Sequence, residues 1–129
     1  MKSKYNPVCW FEIYVNDMDR AKKFYSTVLN VELADAPEMD GMPDMQMAFF
    51  PWAENAPNAN GALVKMNEMA AGAGGTMVYF QCEDCTVEES RVETAGGKII
   101  QPKMPLGEHG FCSMCSDTEG NMFGLHSIK

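Results

Sequence analysis

The chain has 129 residues, 46% of them hydrophobic, and a formal net charge of −8. That suits one compact domain, or two small halves sharing a core. So acidic a chain has no basic surface with which to release phosphate counterions, which argues against nucleic acid and anionic membranes as partners. No apolar run reaches the roughly 18 residues that a membrane span needs. The N-terminal residues lack the apolar core of an export signal. Five cysteines are an odd count, and without an export signal they predict reduced thiols and a cytoplasmic protein. Twelve methionines suit soft packing or an adaptable apolar pocket.

Residues 10–15 are β-rich and apolar with polar interruptions, which predicts a half-buried strand. Asn16 and Asp17 can cap a helix. Ala21, Phe24, Tyr25, Val28 and Leu29 then recur at helical spacing as one apolar stripe, and Asn30 is a stop. Strands are expected over 31–35, 45–50 and 62–66, with a turn-rich loop at 51–61. The run AAGAGG, residues 70–75, reads as a linker. The order then repeats. A strand is expected over 77–82, then a helix opened by a capping box at 86–89 and stopped by Gly96 and Gly97. Three more strands follow, over 98–102, 111–116 and 122–127, the last two joined by a turn at 117–121.

The chain therefore reads β-α-β-β-β twice. The expected class is α+β: two tandem βαβββ modules, about 7–68 and 76–129, joined by a linker at about 69–75 within a single domain. They are expected to form a concave mixed sheet with helices on its outer face. A concave inner face would suit a small-molecule ligand.

Three stretches carry a family resemblance: FEIYVNDMDRAKKFYSTVLNVEL (11–33), VYFQCEDCTVEESRVETAGGKII (78–100) and SDTEGNMFGLHS (116–127). In this order they resemble the vicinal oxygen chelate superfamily, which includes glyoxalases, bleomycin-resistance proteins and extradiol dioxygenases. The segment 49–65 looks most like uncharacterised, glyoxalase-related bacterial members. The resemblance implies the fold described above and a homodimer. Metal-dependent members are similar in drawing four His, Gln or Glu ligands from the first and last strand of each module. Those slots fall here on Trp10, Gly61, Met77 and Gly124. None offers a side-chain donor suited to an octahedral cation, so neither metal nor other cofactor is expected.

Alternation along a strand then assigns faces. If Trp10 faces the cup, so do Glu12 and Tyr14. Tyr79 and Gln81 accompany Met77, Leu63 accompanies Gly61, and His126 accompanies Gly124. Phe11, Ile13, Val15, Val78, Phe80, Phe123 and Leu125 face the helices. Burial among aromatic rings disfavours a carboxylate anion and suits a general base or acid. Glu12 is the candidate for that role, with His126 beside it. Trp10, Tyr14, Leu63, Met77, Tyr79 and Gln81 are the expected ligand-binding residues, and His109 joins them on a Gly-flanked turn of the kind that covers pockets, with a solvated loop histidine as the competing reading. Two glycines in the slots widen the floor for a flat or bulky ligand.

Cys82/Cys85 and Cys112/Cys115 have the spacing of a four-cysteine zinc site. Cys112 and Cys115 lie three apart in one strand and so point to opposite faces, which favours small buried thiols. Three functions stay open. The chain is a metal-independent lyase or isomerase acting beside a carbonyl, a binding module that sequesters aromatic ligands as bleomycin-resistance proteins do, or a metal-dependent enzyme whose ligands lie at other positions.

Overall fold

The structure, a computed structural model, describes residues 5–38, 42 and 44–129. It comprises two compact units. One is residues 11–76. The other is residues 77–129 together with the N-terminal segment through Trp10, so the first strand is divided between them. Sequence placed the N-terminal segment wholly with the first half.

The elements follow the expected order. The first five are β1 (Val8–Tyr14), α1 (Met18–Leu29), β2 (Ala34–Asp35), β3 (Gln46–Phe49) and β4 (Asn60–Lys65). The second five are β5 (Thr76–Gln81), α2 (Cys85–Val92), β6 (Lys98–Pro105), β7 (Phe111–Ser116) and β8 (Met122–Ser127), with a 3-10 turn at Gly107–His109. In the first unit the strand order is β2-β3-β4-β1. In the second it is β5-β8-β7-β6, with the N-terminal part of β1 outside β5. The β5/β8 pair is parallel, while β6/β7 and β7/β8 are antiparallel. The fold is thus α+β with mixed pairing. β6 runs past its expected end through Pro102, and register shifts flank that stretch, because proline cannot donate to a ladder.

α1 begins and ends where its sequence signals lie. Asp17 is extended, and its carboxylate accepts the Arg20 amide at 3.0 Å. Asn30 adopts the left-handed conformation at φ 54° and closes the helix. Met18, Ala21 and Tyr25 pack with Phe11, Ile13, Val15, Leu33, Ala48, Phe50 and Leu63. Rings order this core: Phe50 lies 5.5 Å from Phe11 and 5.9 Å edge-on from Tyr25. The rest of the expected apolar stripe is not buried, since Phe24, Val28 and Leu29 are each more than half exposed.

The second unit packs Cys82, Cys85, Cys115 and Leu125 with Phe80, Val92, Ile99, Phe111 and Phe123. The α2 cap differs from expectation. Asp84, not Thr86, is the N-cap, and it accepts the Thr86 amide at 2.9 Å. The Thr86 amide, with Lys103 at 3.0 Å, holds the Asp84 carboxyl below its ordinary range. Lys103 also donates its backbone amide to Glu89 and lies over the Phe111 ring, tying β6 to α2. The next orphan amide, that of buried Cys85, donates to the Ser127 hydroxyl at 3.0 Å. Ser127 is 1% exposed. Ser127→Ala would strand a buried N–H and is expected to lower unfolding stability by about 1–3 kcal/mol, read from the urea midpoint at constant slope.

Candidate functional site

Helix packing fixes the faces of β1. Phe11, Ile13 and Val15 turn toward α1, so Glu12 and Tyr14 take the other face, with Trp10 in phase. There the Tyr14 hydroxyl donates to Glu12 Oε1 at 2.7 Å. Tyr14 is buried and Glu12 half-buried. The phenol orients the carboxylate as an acceptor, which gives Glu12 the structural partner that competes with a free catalytic role.

β4 runs in the opposite phase from the one expected. Leu63 belongs to the α1-side core, not to the ligand face. A Cβ on Gly61 would run into the Phe11 carbonyl oxygen and stand 2.7 Å from its ring carbons. Gly61 is therefore the gap that admits Phe11 on the helix side. Asn60, Ala62 and Val64 take the other face by alternation, and the Asn60 amide is engaged with the Phe50 carbonyl at 3.1 Å.

In the second unit the expected phase holds. Phe80 and Phe123 meet on the helix side with ring centroids 5.9 Å apart, which turns Met77, Tyr79, Gln81, Gly124 and His126 to the other face. Register places Tyr79 opposite Gly124 and Gln81 opposite His126. The Tyr79 ring lies over Gly124, with Cγ 2.7 Å from where a Cβ would stand. Tyr79 and Met77 are buried, and Gln81 is exposed.

His126 Nε2–H donates to the His109 carbonyl at 2.6 Å, which leaves Nδ1 as the acceptor nitrogen. His109 thus contributes through its backbone, and its own side chain is exposed. Two residues on this row were missed. Cys112 pairs with His126 and Met114 with Gly124. The signal was available, because Cys115 on the core side puts both on the opposite face.

The four slots do not fit an octahedral divalent ion. Trp10 offers only a donor N–H and Met77 a soft thioether. Gly124 lies under the Tyr79 ring, and Gly61 faces Phe11. Among the described residues no three His, Cys, Asp or Glu side chains are grouped to hold a metal ion. Burial, and then the neighbouring Glu88 carboxylate, push the Cys82 thiol up to about 12. Burial likewise raises Cys9 and Cys115. Such thiols are poor nucleophiles. On the faces turned away from the helices, the first unit presents a phenol-held carboxylate, and the second an imidazole acceptor, an amide and a buried aromatic ring.

A model of the Glyoxalase/Bleomycin resistance protein/Dioxygenase superfamily matches residues 8–125. The chain is 26% identical over 122 residues to the provisionally named glyoxylase CFP32 of Mycobacterium bovis and of Mycobacterium tuberculosis. That match covers 90% of this chain and 43% of each relative, so the chain spans less than half the length of these proteins. Among solved structures, methylmalonyl-CoA epimerase of Mycobacterium tuberculosis superposes with a TM-score of 0.70 at 14% identity, covering 100% of this chain and 93% of that one. A hypothetical protein of Bacillus halodurans gives 0.69 at 13% identity, covering 95% and 94%. At such identities the likeness is one of fold.

Proposed function

The chain belongs to the Glyoxalase/Bleomycin resistance protein/Dioxygenase superfamily, and from that premise we propose that it binds a small aromatic or carbonyl-containing molecule without the divalent metal used by its metal-dependent relatives. The observation that carries the reading is the Tyr79 ring lying on Gly124, where a ligating side chain would otherwise project. Aromatic surface replaces a metal donor at that slot. The ligand lies against a strand face turned away from the helix of its own unit. Glu12, oriented by Tyr14, is the group able to accept or deliver a proton on the face of the first unit, and His126, oriented by the His109 carbonyl, is its counterpart on the face of the second. Trp10, Tyr79 and Gln81 supply ring contacts and an amide. The protein is cytoplasmic, and its partner is a second copy of itself, which sedimentation would report as a doubled mass.

The test begins with elemental analysis of protein purified without a tag. Stoichiometric nickel, zinc, manganese or iron would refute the proposal and favour the metal-dependent reading. Thermal-shift screening of aromatic and α-oxo carbonyl compounds then identifies a ligand. Glu12→Gln is expected to weaken a ligand that donates to the carboxylate by about tenfold or more, the value of a charge-assisted hydrogen bond. Turnover of a carbonyl compound that Glu12→Gln abolishes identifies a lyase or isomerase. Unchanged binding with no turnover in either protein identifies sequestration.

A further inference from the structure

Three neighbouring strands of the second unit, β6, β7 and β8, carry a row of sulfur and nitrogen donors on one face. Register pairs Met104 of β6 with Cys112 of β7, and Cys112 with His126 of β8. Cross-strand partners share a face, with Cβ atoms about 4.5–5.5 Å apart. The helix side fixes which face. Lys103 reaches Asp84 and the Phe111 ring, and Phe111 and Leu125 pack with Cys85 and Val92 of α2. Met104, Cys112 and His126 are each one residue from these and so take the opposite face. A thioether, a thiol and an imidazole therefore stand side by side, close enough for the two longer side chains to lean over the central sulfur.

The imidazole is already oriented as a ligand. Its Nε2–H donates to the His109 carbonyl at 2.6 Å, so the lone pair is on Nδ1. A ring N–H tied to a backbone carbonyl is the usual outer support of a metal-bound histidine. Donor chemistry then selects the ion. Thiolate and thioether are soft and suit copper(I), and imidazole suits copper as well. Cys112 is 5% exposed, and Met104 and His126 are half-buried, so charge here has to be balanced. One thiolate neutralises one monovalent cation. A divalent ion would leave a charge that these three donors do not balance.

We propose that Met104, Cys112 and His126 bind one soft monovalent cation, copper(I), through two sulfurs and Nδ1. The S–H bond of Cys112 gives way to a sulfur–copper bond, its proton leaves to solvent, and no electron is transferred. The site uses none of the slots at Trp10, Gly61, Met77 and Gly124, and it does not rest on the organic ligand proposed above. The described residues hold no group of three His, Cys, Asp or Glu suited to a metal; the third donor here is a thioether.

Anaerobic titration of the full chain, labelled with ¹⁵N-histidine, tests this with Ag(I) as a redox-inert stand-in for copper(I). One tight step is expected, releasing one proton and shifting Nδ1 of His126 far more than Nε2. The other four cysteines are also free thiols, so variants assign the step. Cys112→Ser is expected to weaken it about a hundredfold and Met104→Leu about tenfold, since even outer-shell losses at metal sites cost about 10–100-fold. Leucine keeps the volume of methionine, so Met104→Leu reports the sulfur and not the packing. Cys82→Ser is expected to titrate as wild type. Copper(I) is expected to be held against the chelator bicinchoninate by wild type and not by Cys112→Ser. No tight step in the wild type, or the same step kept in Cys112→Ser, would overturn the site. Zn(II) binding as tightly as Ag(I) would overturn the monovalent assignment, and copper(I) surrendered to bicinchoninate by wild type would overturn copper as the occupant.

Discussion

Leu63→Ala is expected to destabilise the protein by about 2–5 kcal/mol, the usual cost of removing a fully buried leucine from a core that relaxes only in part. Leu63 is 0% exposed and packs with Val15, Met18, Leu33, Ala48 and Phe50. Those neighbours come from β1, α1, β3 and the segments flanking them, so a void there loosens the unit from several sides. Against a total of about 5–15 kcal/mol for a domain, that is a large fraction. Urea unfolding checks it: the midpoint falls while the slope is kept. The same substitution also tests the phase of β4. A leucine on a ligand face would cost little stability and much affinity. A small stability loss with weakened ligand binding would place Leu63 on the face that alternation with Gly61 first suggested.

Gly124→Ala is the second large effect, expected at about 1–3 kcal/mol from overpacking alone. The Gly124 backbone is not in the left-handed region, so an alanine there incurs no conformational strain and would even suit a strand better. What opposes it is space, because the added methyl must displace the Tyr79 ring. Tyr79 is itself buried at 7% exposure, so its ring cannot swing out without losing packing. A double-mutant cycle isolates this. On a Tyr79→Ala background, Gly124→Ala is expected to cost almost nothing, leaving a coupling energy of about 1–3 kcal/mol. Additive losses would show that ring and glycine do not meet, and would remove the observation on which the metal-free proposal rests.

Much of this architecture is visible in local chemistry. β7 and β8 fall on their expected bounds, and α1 starts at Asp17 and stops at Asn30. Caps and alternation are short-range effects, so residues a few positions apart suffice to reveal them. The α2 start shows where this reasoning slips. Thr86 and Glu89 match a capping box, yet Asp84 two residues earlier takes the cap and binds Lys103 from β6. A distant lysine favours one of two local solutions. α1 shows the same limit, for helical spacing marks Phe24, Val28 and Leu29 as apolar but cannot say whether anything lies against them.

The candidate site divides in the same way. That Trp10, Met77, Gly61 and Gly124 lack suitable donors follows from residue chemistry alone. So does the grouping of Glu12 with Tyr14, and of Tyr79 with Gln81, by their even spacing. Alternation gives a strand two phases and does not choose between them. On β1, β5 and β8 the purely apolar set reveals which phase meets the helices. On β4 every residue from Gly61 to Val64 is small or apolar, so either phase is acceptable locally. The choice there belongs to Phe11, whose ring needs the space above a glycine. Likewise only the folded chain brings the His109 carbonyl to His126, and the Tyr79 ring onto Gly124. Local periodicity specifies which residues share a face, and long-range packing decides which face that is.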